Sequence, residues 1–244
     1  MRCRTSFSFI LSLLLAASGA AAASAQSPDA LLRSRPASAS LGGGTRACAA
    51  TLSAPWQLRV RIVPDTVTTQ VQAQNLTLEA ERIWRRNGVQ LHWVATPEEP
   101  TDIWVYVVDV PPPVKVSEMV MPIAWIAFYD GTPQRIIRIS RLSMNRLVDA
   151  RLWQGKSERI SSLTQDLQEE AVGRAWGRAL AHEIGHYLLS SKAHTKTGLM
   201  RASLPDHDLI AESAGKFTLE AEQVQQLNAV RLQECATWVA AAEQ

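Results

Sequence analysis

Two histidines four residues apart, with a glutamate directly after the first, are the residues of this chain best suited to chemistry: His182-Glu183-Ile184-Gly185-His186. On an α-helix, residues at that spacing share a face, so both imidazoles can hold one cation. Zinc suits two imidazoles plus a third protein ligand, with one position left open for water. The metal lowers the pKa of that water, and a carboxylate beside it can take the proton as the water attacks a carbonyl. Glu183 stands where such a base is needed. The bland alternative is a solvated helix with idle polar residues. Trp176, Ala179, Leu180, Ile184, Tyr187 and Leu188 argue against it, because they make the helix largely apolar and therefore buried. Buried imidazoles and a buried carboxylate need partners, and a metal ion is one.

A third ligand should follow soon after the helix. His194 lies eight residues beyond His186, past a Ser190-Ser191-Lys192 stretch that should end the helix and turn the chain back. The alternatives are Asp206, His207 and Asp208, a polar cluster further on. An aspartate there would make a different zinc site, and His207 as a fourth ligand would close the shell and make it structural. The nearer loop closes more readily, which favours His194. His92 alternates away from Leu91 and Trp93 and reads as a surface histidine, while Tyr187 reads as core. Met200, after Gly198-Leu199, would by itself be core filler.

The stretch from His182 to Met200 resembles the zinc-binding region of metzincins, most closely the matrixin branch, and is similar to short exported bacterial zincins. The interval from the first His to Met200 is that of the matrixin pattern. The resemblance implies His194 as third ligand and Met200 as the methionine of a tight turn beneath the metal. This chain departs from the pattern in carrying Leu189 where the family has Gly and Lys192 where it has the third His. His194 then needs two more residues before the ligand and two fewer after it. Some matrixins are held inactive by a leader cysteine on the zinc. Cys48 could be read that way, although the rest of that switch pattern is absent.

The elements that must position these residues follow from periodicity. Gln57 to Val63 alternates as a half-buried strand, and a helix with Asp65 as its N-cap runs through Leu78, Ile83 and Trp84 to Asn87-Gly88. Val89 to Trp93 and Asp102 to Val110 read as strands. Ile123 to Tyr129 and Arg135 to Ser140 are two more, joined through an Asp130-Gly131 turn. Helices are expected over Met144–Trp153, Asp166–Leu189 and Leu219–Trp238, the last with Thr218 as N-cap. That order predicts an α+β fold, a twisted mixed five-stranded sheet packed on the first helix and the long site helix. The resemblance implies the zincin architecture for it, with Ile123–Tyr129 as the edge strand that an extended peptide would join.

The start of the chain reads as an export signal. Arg2 and Arg4 precede the apolar run Phe7–Leu15 and the small residues Ala23-Ser24-Ala25, so cleavage is expected after Ala25. Residues 26–55 are rich in Ala, Ser, Gly and Arg and read as a flexible leader, with the peptidase domain at 56–244. The net charge of +2 comes from the two signal arginines, since the remaining chain balances 23 basic against 23 acidic residues. Nothing there suggests a nucleic-acid partner, and no later run is long and apolar enough for a membrane span. Cys48 and Cys235 would pair in an oxidising compartment, the alternative being two free thiols. The expectation is a secreted or periplasmic monomer, a zinc endopeptidase acting on peptide or protein. A non-catalytic zinc-binding or interaction domain is the alternative, though such a domain would not need Glu183.

Overall fold

The computed structural model describes Cys48 and residues 54–63, 65–110, 122–149 and 160–242. The expected signal, most of the leader and the end of the Met144–Trp153 helix lie outside them. Alternation builds the sheet. Leu58 and Val60 in β1 (Trp56–Val63), Val89 and Leu91 in β2 (Val89–Trp93), Ile103 and Val105 in β3 (Ile103–Val108) all point into one core. Ala124 and Ile126 in β4 (Ala124–Tyr129) and Ile137 and Ile139 in β5 (Thr132–Ser140) join them. The strand order is β2-β1-β3-β5-β4. β1 pairs in parallel with β2 and β3, β3 in parallel with β5, and β4 runs antiparallel to β5 at the edge. The fold is thus α+β with a mixed five-stranded sheet, and β4 is an edge strand as expected. Asp130 and Gly131 both take positive φ, +46° and +79°, which fits a two-residue hairpin turn between β4 and β5.

Five α-helices lie among the described residues: α1 (Gln70–Arg85), α2 (Arg141–Asp149), α3 (Gln165–Leu188), α4 (Asp206–Ile210) and α5 (Ala221–Ala242). Two cap assignments need correction. Asp65 does not cap α1. Its carboxylate instead accepts from the N–H groups of Val67 and Thr68 and closes a turn, while Thr69 and Gln72 form a capping box for the helix. Thr218 does not cap α5, which starts at Ala221; its carbonyl accepts from Leu199 N–H.

α1 and α3 cover the buried face of the sheet. α1 turns Leu76, Ala80, Ile83 and Trp84 inward at helical spacing. From Ala171 to Leu188, every α3 residue except Arg174 and Tyr187 is buried. The two helices approach closely because α3 offers glycine where they cross. A Cβ on Gly173 would lie 2.5 Å from the Gln72 carbonyl, and one on Gly177 2.6 Å from that of Leu76. The crossing also encloses a buried ion pair, Arg178 Nε to Glu79 at 2.6 Å. At the far end, Cys48 and Cys235 form a disulfide that fastens α5 to the start of the domain. Arg231 of the same helix donates to the carbonyl of Ala54. No described helix is long and apolar enough to cross a membrane.

Candidate metal centre

The site is assembled from the last turns of α3 and the loop that follows. His182 and His186 project from one face of α3, one turn apart, with their Nε2 atoms 3.1 Å from each other. Their Nδ1 atoms are already committed. That of His182 donates to the Leu199 carbonyl at 2.8 Å, and that of His186 to the Ser191 carbonyl at 2.7 Å. A carbonyl only accepts, so each Nδ1 carries the proton and each Nε2 presents a bare lone pair. Two lone pairs facing at 3.1 Å repel unless a cation lies between them. Two nitrogens on one tetrahedral zinc would sit roughly 3.3 Å apart. The donor set and its spacing fit such an ion.

A proton is a poor substitute for the metal. Burial pushes His182 down to about 3, with His186 adding to the shift against the Leu199 carbonyl. Burial also lowers His186 and His194.

His194 completes the group. Its ring stacks on that of His182 at 5.4 Å and meets that of His186 edge-on at 4.9 Å. One nitrogen from each of the three rings lies within 4.8 Å of the others. Among the described residues no further His, Cys, Asp or Glu joins them. The downstream cluster is occupied elsewhere: buried Asp208 pairs with Arg201 and Lys216, each at 2.8 Å, and His207 lies 3.3 Å from it. His92 is exposed on β2, and Tyr187 is half-buried against the core.

The turn that carries the chain to His194 is local chemistry. Leu189 caps α3, Ser190 adopts φ +46°, and the N–H groups of Ser190 and Ser191 return to the carbonyls of Tyr187 and His186. This is a Schellman turn with serine where glycine is usual. Ser191 thereby binds His186 twice, through its N–H to the main chain and its carbonyl to the ring. α5 steadies the same turn, since Gln226 donates to the Leu189 carbonyl at 2.7 Å.

Beyond His194 the chain folds back as a closed loop. Thr195 N–H donates to the Met200 carbonyl, Leu199 N–H to that of Thr218, and Gly198 takes φ +75° against Thr218. Met200 is fully buried, and its sulfur sits where a side chain on Gly185 would be, 2.2 Å from an ideal Cβ. A side chain at Gly185 would have to displace the Met200 thioether from that place. Trp84 of α1 donates to the Ala181 carbonyl at 3.1 Å and braces the turn that carries His182.

Glu183 points toward the sheet edge. Its carboxylate accepts from Ile126 N–H of β4 at 2.9 Å. Burial raises its pKa to about 8, with that hydrogen bond pulling the other way.

No family model matches this chain, and no curated protein does. The reading of the site rests on its own geometry. Sequence reasoning missed the two carbonyls that orient the histidines and the Ile126 N–H, because a backbone atom's neighbours leave no mark in residue type. It also missed the glycine seam, which the four-residue spacing of Gly173 and Gly177 could have suggested.

Proposed function

We propose that this chain is an exported zinc endopeptidase of metzincin type, closest to the matrixin branch, with His182, His186 and His194 as ligands and Glu183 as general base. The observation that carries the reading is the convergence of two unprotonated Nε2 atoms at 3.1 Å beside a buried carboxylate that is not needed as a ligand. Zinc in that position supplies Lewis acidity to water and to a peptide carbonyl. The three imidazoles would hold it, and the Leu199 and Ser191 carbonyls keep the His182 and His186 rings in the right tautomer and orientation.

Glu183 takes a proton from water and later returns it to the leaving amine. Burial raises its pKa to about 8, and a cation beside it would favour the ionised form at neutral pH. Edge strand β4 orients the substrate. Ser140 N–H bonds the Ile123 carbonyl across the β4–β5 pair, so the polar groups of Ala124 and the Ile126 carbonyl face away from β5, while the Ile126 N–H is held by Glu183. An extended peptide would add there as a further strand. Met200 packs against Gly185, on the turn of α3 that carries His186. Export after Ala25 accords with the Cys48–Cys235 disulfide, since such bonds persist in oxidising compartments.

Glu183→Gln tests the assignment. The variant should keep its zinc and lose at least about 100-fold in casein or peptide hydrolysis, the scale of a positioned acid–base group. Full retention of activity would remove Glu183 from the mechanism, and a native protein inert toward every peptide would favour a zinc-binding module instead.

A further inference from the structure

Lys192 stands where the matrixin pattern has its third histidine, and the structure gives it a different place. Its ammonium lies 5.0 Å from the centre of the Phe128 ring, over the ring face. Phe128 belongs to β4 and packs against the core, and its ring also meets that of His186 edge-on at 6.3 Å. The aromatic ring thus bridges from a metal-binding imidazole to a fixed positive charge. A cation over a ring face is held electrostatically, which orders a side chain that would otherwise sweep through solvent. The register of β4 changes between Ile126 and Phe128, an irregularity of the kind that re-aims side chains beside active sites. Lys192 is exposed, and no carboxylate of the described residues pairs with it.

We infer that Lys192, seated on Phe128, is a specificity residue that favours peptides with an aspartate or glutamate near the bond to be cut. The inference rests on the peptidase reading. An extended peptide lying along β4 must pass this corner to bring its carbonyl to the three histidines. A carboxylate on such a peptide meets an ammonium that no described carboxylate neutralises, whereas a lysine or arginine meets like charge. Phe128 acts through Lys192, as a positioning residue. Because the ammonium is solvated, its effect is modest and screened by salt, about three- to tenfold.

The test is the zinc-loaded full chain digesting a mixed library of natural peptides, with cleavage sites read by mass spectrometry. Expected in the native protein is an excess of Asp and Glu over Lys and Arg, about three- to tenfold, at one or more positions flanking the cut. Lys192→Glu should reverse that excess at the same positions, and Lys192→Gln should abolish it without reversal. Phe128→Leu should reduce it, and about 1 M salt should flatten it in the native protein. The ratio is taken within each preparation, so a partly active variant still reports. Cleavage with no acidic excess, or an excess unchanged in both Lys192 variants, overturns the inference and leaves the peptidase intact. A native protein that holds zinc and cuts no peptide overturns both.

Discussion

At the scale of residues, burial moves the titratable groups of the site away from their ordinary ranges. In the metal-free protein, burial places His182 at about 3, below the ordinary 6.5 of histidine, and Glu183 at about 8, above the ordinary 4.5 of glutamate. The signs are opposite. From pH 6.5 down to about 3 the unfolded chain binds a proton at His182 that the folded chain does not, so folding weakens with acid. From 4.5 up to about 8 the folded chain keeps a proton at Glu183 that the unfolded chain has lost, so folding weakens with alkali. Chelator-treated protein should therefore lose stability between pH 6.5 and 8 through Glu183. Glu183→Gln, with a neutral side chain of the same shape, should not. Melting curves across pH decide this; parallel slopes for the two proteins would mean that Glu183 is ionised in the apo fold.

At the scale of elements, the glycine seam sets where α3 lies and hence where its histidines point. Alanine in a helix interior ordinarily gains roughly 1 kcal/mol over glycine. Gly177→Ala should nonetheless destabilise by about 1–3 kcal/mol, because its Cβ meets the Leu76 carbonyl rather than a side chain that can swing aside. Urea unfolding measures it, and a neutral or stabilising result would mean that α1 stands further from α3. Alternation and helical spacing made most elements legible, because the strands have one buried face and α1 a single apolar stripe. The ends of helices were less so. Asp65 has the right chemistry for a cap, but it spends its oxygens on Val67 and Thr68 before the helix begins. His182, Glu183 and His186 announce themselves by spacing, and His194 by nearness. Lys192 and Phe128 are far apart in sequence and carry no shared signal; only the fold brings the corner together.

At the scale of the whole molecule, one covalent link spans nearly the entire described chain. Cys48 and Cys235 are 187 residues apart in sequence, so the disulfide limits the freedom of a very long loop in the unfolded state. α5 in turn supports the α3 terminus through Gln226. Replacing both cysteines by serine should lower stability by about 2–5 kcal/mol. Zinc content should persist at temperatures well below the new midpoint, because neither cysteine belongs to the metal group. Chemical denaturation with and without reductant checks the first expectation, and an unchanged midpoint would place the pair outside the cooperative unit.

The central claim is that three histidines make one metal centre. Residues 26–244, purified and dialysed against trace zinc, should hold one zinc per chain. His194→Ala should bind at least about 100-fold more weakly, more than the loss of an orienting partner alone would cause. Equal zinc and equal affinity in the two proteins would move the third ligand away from His194. No zinc in either, from folded protein, would contradict the metal centre itself.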